Sequence, residues 1–113
     1  MSYELQFYRT ADGKCPVDWF LDGLPERHAA KVERFMELLE RKGPDFPRPY
    51  ADVARGKIRE LRIGFGHHEY RFLYFFSGKN IVITHGFLKK TDRLPEGEID
   101  RAQRCMDEYL ARL

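Results

Sequence analysis

Cysteine is scarce in this 113-residue chain, which contains only Cys15 and Cys105. Two cysteines cannot build a disulfide framework, and their separation does not match the ligand spacing of a zinc site. The chain also lacks any apolar run near the ~20 residues of a membrane-spanning helix, and it does not open with a signal-peptide pattern. We therefore predict no metal, no cofactor and no membrane association, and we expect a cytoplasmic protein.

Internal repeats and low-complexity segments are also missing, and the length predicts one domain over residues 1–113. Hydrophobic residues make up 42% of the chain, with nine phenylalanines and six tyrosines. This composition supplies enough apolar surface for one core at this size. A disordered protein, a disulfide-stapled secreted protein and a multidomain enzyme are therefore excluded.

Charge of one sign is not in excess overall, since the net charge is only +2, but its distribution is uneven. Residues 48–93 contain ten basic and four acidic side chains, so this segment carries +6 and the remainder of the chain −4. A basic segment between near-neutral flanks is typical of a protein with one face that meets a polyanion. Chance clustering of solvated charges is the alternative interpretation.

Turn and helix signals divide the first half of the chain into short elements. Prolines mark the first positions of two helices, and glycines mark their ends. In order, we predict a strand over 3–8 and helices over 16–22 and 25–42. Residues 43–56 contain three prolines, which predicts a structured loop without a regular helix or a central strand. His28, on the second helix, is expected at the surface.

Three strand-like runs and a final helix occupy the second half. The predicted strands are 58–65, 69–76 and 81–88, and the helix starts near Pro95. Short turns between the strands require an antiparallel meander. The aromatic side of the middle strand is predicted to be core rather than a base-stacking platform; it consists of Tyr70, Phe72, Tyr74 and Phe76.

The element order is therefore β-α-α-β-β-β-α, which predicts an α+β fold. We expect a two-layer sandwich in which the helices cover one face of the meander sheet. The other face then stays partly open, and alternation along the strands lets Arg62 and Arg71 project from it.

Four motifs occur in the order and spacing of a known family: ELR at 60–62, YRFLY at 70–74, HGFLKKT at 85–91 and PEGEIDRA at 95–102. With these motifs the chain resembles the RelE/ParE superfamily of toxins, and within it the HigB-like, phage-related branch. The resemblance implies a RelE-like fold over most of the chain. It also implies a type II toxin that acts as a ribosome-dependent mRNA endonuclease and is held inactive by a cognate antitoxin, for which we expect a helix-turn-helix protein.

RNA cleavage without a metal uses the neighbouring 2′-hydroxyl as the nucleophile, and it needs cations on the developing phosphorane charge. Arg71 is the strongest candidate, because it interrupts an otherwise apolar strand and, by the resemblance, matches the arginine that contacts the scissile phosphate. Arg62, Lys89 and Lys90 complete the predicted catalytic set. For Arg71 the alternative is a structural salt bridge to Glu60 or Glu69.

Other basic residues are predicted to bind the RNA backbone: Lys57, Arg59 and Arg93. His67 and His68 lie in a turn near the start of the Arg71 strand, where an imidazole can act as acid or base. His85 is predicted to be a hydrogen-bonded core histidine among Ile81, Ile83 and Phe87.

Two other functions stay open. One is non-catalytic gyrase inhibition, as on the ParE side of the superfamily, and the other is an inactive phage-derived remnant. Many ribonucleolytic relatives have a Tyr or His near the C-terminus, whereas this chain has only Tyr109, whose spacing predicts an inward position. The clustered basic residues favour the nuclease, because a pure binding protein has no need to aim cations at one point.

Overall fold

Three helices and five strands make up the computed structural model, which describes residues 2–113. The elements are β1 (Glu4–Phe7), α1 (Pro16–Asp22), α2 (Glu26–Lys42), a 3-10 turn (Gly43–Asp45), β2 (Ala51–Arg55), β3 (Ile58–Phe65), β4 (His68–Ser77), β5 (Asn80–Leu88) and α3 (Glu96–Ala111). The α+β class is confirmed, and the predicted helices and the strands now labelled β1, β3, β4 and β5 occur within about two residues of their expected bounds.

The five strands form one sheet in the order β1-β5-β4-β3-β2. Strands β2 to β5 are an antiparallel meander, whereas β1 pairs in parallel with β5. The sheet is therefore mixed, because the chain crosses over through α1 and α2 between its first strand and the meander.

The proline-rich segment 43–56 contains a strand that the sequence did not predict. Its prolines end before Ala51, and Ala51–Arg55 forms an edge strand in which four of the five residues pair with β3. The prediction of a loop was therefore wrong for Ala51–Arg55. An edge position fits the local sequence, since an edge strand tolerates short length and neighbouring prolines.

One face of the sheet packs against α1 and α2. Its core includes Leu61, Phe72, Tyr74 and Ile83 from the strands, which meet Val17, Val32, Met36 and Leu39 from the helices. Tyr70, Phe72 and Tyr74 are buried and Phe76 is half-buried, so the prediction that these aromatics are core is confirmed.

The opposite face is covered at one end by α3, which corrects the expectation of helices on one face only. Ala102 and Met106 of α3 pack with Leu73, Phe75 and Val82 of the sheet. These strand residues alternate with the aromatics of the first core, so the middle of the sheet is apolar on both sides and needs two covers. The other end of this face has no helix over it and carries the charged side chains described next.

Among the described residues, none of the helices is both long and apolar enough to cross a bilayer.

Candidate functional site

Arg62 of β3 and Arg71 of β4 lie directly opposite each other in the sheet. The backbone N–H of Arg62 donates to Tyr50 on the far side of β3, so the two arginines form a non-hydrogen-bonded pair. In such a pair the side chains project from the same face at the closest cross-strand separation. The predicted convergence of these two arginines on one face is therefore present in the structure.

Glu60 holds the two arginines together. Its Oε1 atom accepts a hydrogen bond from Nε of Arg62 at 2.7 Å and lies 3.4 Å from Nε of Arg71. Glu60 is only 6% exposed, so its charge is poorly screened by water. The carboxylate raises the pKa of Arg62 above its already high ordinary value, and it offsets the repulsion between two like charges in cross-strand positions.

Asp52 of β2 extends this network towards the sheet edge. Its carboxylate lies 3.4 Å from Nη2 of Arg62 and 3.1 Å from Nε of Arg48. The backbone N–H of Val53 and these two guanidinium groups hold the pKa of Asp52 below its usual value, against a smaller opposing effect of burial. Arg62, with a side chain 34% exposed, is thus held on two sides and still reaches solvent.

Arg71 is more deeply enclosed, at 7% exposure. Its Nη1 atom donates to the backbone carbonyl of Tyr70 at 3.0 Å and to Glu69 at 3.2 Å. Both acids that the sequence offered as structural partners of Arg71, Glu60 and Glu69, are therefore ion-paired with it. Within residues 2–113 its Nη2 atom makes no hydrogen bond and can donate to an external anion, whereas its Nε atom is buried and also lacks a hydrogen-bond partner, although it lies 3.4 Å from Glu60.

The end of β5 completes this face. Phe87 lies opposite Arg71, and the backbone N–H of Lys89 donates to Glu69 at 2.7 Å. Alternation places Lys89 on the same face as Phe87 and Arg71, and its Nζ atom donates to the carbonyl of Asp92 at 3.0 Å. Lys90 and Arg93 follow at exposed positions in the connection to α3. We call the group Glu60, Arg62, Glu69, Arg71 and Lys89 the charged face.

Two residues predicted to bind RNA lie outside the charged face. Arg59 is opposite Tyr74, and its guanidinium is 6.0 Å from the ring centre of Phe76, on the α1/α2 side of the sheet. Lys57 is exposed in the β2–β3 turn, at the other end of β3 from the β3–β4 turn. The structure therefore brings together Arg62, Arg71 and Lys89, and it separates Arg59 from them.

The two histidines at the β3–β4 turn, His67 and His68, also lie outside the charged face. His68 stacks on Tyr70 with ring centroids 6.0 Å apart, which places it on the face opposite Arg71. His67 is exposed in the turn itself. His28, expected at the surface, is half-buried instead: its Nδ1 atom lies 2.6 Å from the Tyr70 hydroxyl, and its ring stacks on Phe65.

His85 is buried and satisfied, as predicted, but it faces α3. Its Nε2 atom lies 3.0 Å from Oε1 of Glu98, and its Nδ1 atom lies 3.0 Å from the Thr84 hydroxyl. Burial and the nearby Arg101 lower the pKa of His85 to about 4, although the Glu98 carboxylate opposes the shift. The imidazole is therefore neutral at pH 7, and both of its nitrogens are engaged.

The sequence alone did not identify Glu60 as the organiser of the site. The signal was present, because residues 60 and 62 share one side of a strand and alternate with buried Leu61 and Ile63.

In residues 2–113, no cluster of three or more His, Cys, Asp or Glu is arranged to hold a metal ion. The charged face is chemically a set of fixed guanidinium and ammonium groups, with carboxylates between them.

Comparison with known proteins agrees with this fold. The family model described as "Phage derived protein Gp49-like (DUF891)" matches residues 19–107, which is most of the chain. No protein with a curated description gives a significant match.

Two solved structures are similar to this chain. A chain of the toxin–antitoxin complex RelBE2 from Mycobacterium tuberculosis superimposes with a TM-score of 0.57 at 23% identity, over 79% of this chain and 100% of that one. A chain of the archaeal RelE–RelB complex from Pyrococcus horikoshii OT3 matches with a TM-score of 0.49 at 21% identity, over 83% of this chain and 100% of that one. The chain therefore has a RelE-like fold and belongs to the Gp49-like family of phage-derived proteins.

Proposed function

We propose that this protein is the toxin of a type II toxin–antitoxin pair and that it cleaves mRNA on the ribosome. The observation that carries the proposal is the cross-strand pair of Arg62 and Arg71 at the uncovered end of the sheet. Two like charges opposite each other weaken a sheet, and one buried carboxylate neutralises only part of their charge, so the pair is suited to binding a polyanionic ligand. The RelE-like fold, which is also found in a toxin–antitoxin complex, is consistent with this function.

The proposed reaction is attack of the RNA 2′-oxygen on the adjacent phosphorus. A bond forms between the 2′-oxygen and phosphorus, the bond from phosphorus to the 5′-oxygen breaks, and a 2′,3′-cyclic phosphate results. The 2′-hydroxyl loses its proton, and the 5′-oxygen gains one. The transition state carries extra negative charge on the phosphoryl oxygens, and the proposal assigns the binding of this charge to Arg62 and to Nη2 of Arg71, which is supported by the solvent exposure of the Arg62 side chain.

The proposed proton-transfer groups are side chains of the charged face itself. Glu69 is 52% exposed and contacts Arg71, so its carboxylate reaches both solvent and a phosphate bound there. Lys89, on the same face, is the nearby proton donor. His68 lies on the opposite face, and His67 is roughly four strand residues, or ~13 Å, from Arg71, which makes both histidines less suited to this role.

The mRNA is proposed to approach over the β5–α3 connection, where Lys90 and Arg93 are exposed. These side chains have no enclosing packing and suit contacts to the RNA backbone, as does Lys57 at the other end of β3. Arg59 is expected to contribute less to RNA binding, because its side chain lies on the α1/α2 side of the sheet.

An antitoxin is proposed to cover the charged face, and we expect a small helix-turn-helix protein. Acidic side chains of such a partner would have to pair with Arg62 and Lys89, because covering these cations without pairing them costs desolvation energy. The C-terminal end of α3 offers an apolar anchor, since Leu110 and Leu113 are 43% and 80% exposed.

The test is cleavage of a defined mRNA by the purified chain, with and without 70S ribosomes. We expect ribosome-dependent cleavage that leaves a cyclic phosphate and a 5′-hydroxyl. Arg62→Ala should lower the cleavage rate by about 10²–10³-fold, which is typical for the loss of one group that stabilises transition-state charge. Arg34→Ala, which removes an exposed arginine from α2, is the matched control and should cleave at the unaltered rate.

The same preparation separates the two rival functions. Inhibition of DNA supercoiling by gyrase, with no RNA cleavage, would establish the ParE-like alternative. A folded chain that neither cleaves RNA nor inhibits gyrase, and whose expression does not slow cell growth, would identify an inactive remnant. Either result would overturn the nuclease proposal.

A further inference from the structure

A large cavity of the described chain lies along the edge of β5 that faces away from β4. It has a volume of about 640 Å³ and is enclosed by the 10–20 segment, by β5 at His85 and Gly86, and by Arg101 of α3. Trp19, the single tryptophan of the chain, stands at its rim with 80% of its surface exposed.

One wall of this cavity is an unpaired strand edge. Strand β1 pairs with β5 only as far as Ile83, after which the chain turns away into the segment that leads to α1. Beyond that point β5 has a neighbouring strand only on its β4 side. The crossover therefore leaves the last part of β5 without a strand partner on this side, next to the cavity that α1 also lines.

The register shows which backbone groups face this space. Lys89 donates its N–H to Glu69 of β4, so Phe87 and His85, two and four residues earlier, also direct their N–H and C=O groups towards β4. Gly86 and Leu88 fall in the alternate positions and direct theirs away from β4, and of these two residues Gly86 lines the cavity. In residues 2–113 no hydrogen bond from another strand reaches these groups.

The lining is cationic and apolar. Lys14 and Arg101 contribute the two formal charges of the lining. Lys14 also lies 3.7 Å from Asp12, which is outside the lining, so Arg101 is the principal cation of the cavity. Trp19, Phe20, Cys15 and Pro16 supply the apolar surface. An exposed tryptophan next to a concave surface is typical of the energetic centre of a protein interface.

We propose that this cavity is a docking site for an extended, acidic peptide segment of a protein partner, which adds to the sheet as a strand beside Gly86 and Leu88. Backbone hydrogen bonds to the β5 edge give the segment its direction, as in other strand-addition complexes. An apolar side chain of the peptide enters the cavity against Trp19, and an acidic side chain pairs with Arg101 or Lys14. The site is separate from the charged face and does not depend on the nuclease proposal.

Panning of a displayed random heptapeptide library against the immobilised full-length chain tests this inference. We expect enrichment of sequences that place an aspartate or glutamate next to an aromatic or aliphatic residue. A synthetic enriched peptide should change the Trp19 fluorescence on titration. Arg101→Glu should weaken its binding at least tenfold, whereas Arg104→Glu, a matched charge reversal one turn along α3 and outside the cavity lining, should change it less than twofold.

Amide hydrogen exchange distinguishes strand addition from contact through charge alone. In the free protein the Gly86 amide should exchange faster than that of Phe87, and saturating peptide should slow it at least tenfold. The inference is overturned if no peptide is enriched, if Arg101→Glu binds the enriched peptides unchanged, or if the Gly86 amide is unaffected. Protection of the same amides by a single-stranded uridine decamer, but not by peptides, would assign the cavity to nucleic acid and overturn it equally.

Discussion

Oε1 of Glu60 lies 3.4 Å from Nε of Arg71, and both side chains are almost completely buried. The same oxygen bonds Arg62, so one buried carboxylate serves two guanidinium groups in cross-strand positions. Bringing these charges out of water is costly, and their attraction offsets that cost only while every member is present. The geometry of the proposed phosphate site therefore depends on an acid that would not itself contact the phosphate.

Replacing Glu60 by glutamine should destabilise the protein strongly. The amide keeps the shape of the side chain but removes the buried negative charge beside Arg62 and Arg71. Breaking a buried ion pair by removal of one partner typically costs about 3–5 kcal/mol. Urea denaturation of Glu60→Gln measures the loss as a change in the free energy of unfolding.

Glu69→Gln is the control for this prediction. Glu69 also pairs with Arg71, but it is 52% exposed, so its removal should cost less than about 1 kcal/mol. Equal losses in the two variants would show that burial of Glu60 does not set its contribution.

Alanine at position 86 should also destabilise the chain, for a steric reason. A Cβ atom at Gly86 would lie 2.3 Å from Cε2 of Phe72, which is fully buried and has no room to retreat. Overpacking of this kind costs about 1–3 kcal/mol. The control is Gly97→Ala, where a Cβ atom meets nothing within 4 Å in the first turn of α3. That variant should keep or slightly raise the melting temperature, and a larger loss at Gly97 than at Gly86 would contradict the packing argument.

Alternation and turn signals were sufficient to predict most of the fold. The turn residue Gly78 and the apolar run from Tyr70 to Phe76 predicted the ends of β4 and β5 to within about two residues, because these signals are local. The side of the sheet that α3 covers was not predictable in this way. Strand β4 is apolar on both faces, and no local pattern says which helix packs on Leu73 and which on Phe72.

A β-bulge in β5 explains why His85 lies on a different face of the sheet from the one that the sequence predicted. Tyr74 pairs with Ile83, but Leu73 pairs with His85, so Thr84 is an extra residue in β5. One inserted residue reverses the side on which all later side chains lie. His85 therefore joins Phe87 on the α3 side, and not Ile81 and Ile83 as the uninterrupted alternation predicts.

The salt dependence of RNA binding should show whether the basic residues at and after the end of β5 contact the RNA backbone. Each neutralised phosphate on a single strand contributes about −0.7 to the slope of log affinity against log salt concentration. Joint replacement of Lys89, Lys90 and Arg93 by glutamine should therefore reduce that slope by about 2. The control is the same replacement of three exposed basic residues of α2, Arg34, Arg41 and Lys42, which should leave the slope unchanged. A slope that responds only to the α2 replacements would place the RNA on the other face of the protein.

The stability of the fold should depend on pH through His85. In the unfolded chain this imidazole has its ordinary pKa of 6.5, whereas burial in the folded protein lowers the pKa to about 4. Between these values the unfolded state binds a proton that the folded state does not. Stability therefore decreases as the pH falls from about 6.5 towards about 4, and it is fully present above pH 6.5.

Between pH 7.5 and pH 5, protonation of His85 in the unfolded state should remove about 2 kcal/mol of stability. Urea denaturation at both pH values measures the wild-type loss. His85→Gln cannot titrate in this range but keeps a hydrogen-bonding group near Thr84 and Glu98. Its stability should be lower than that of the wild type at pH 7.5, and it should fall by about 2 kcal/mol less on acidification, because the titration of all other groups is shared. If both proteins lose the same free energy between the two pH values, the buried imidazole is not the group that links folding to protons.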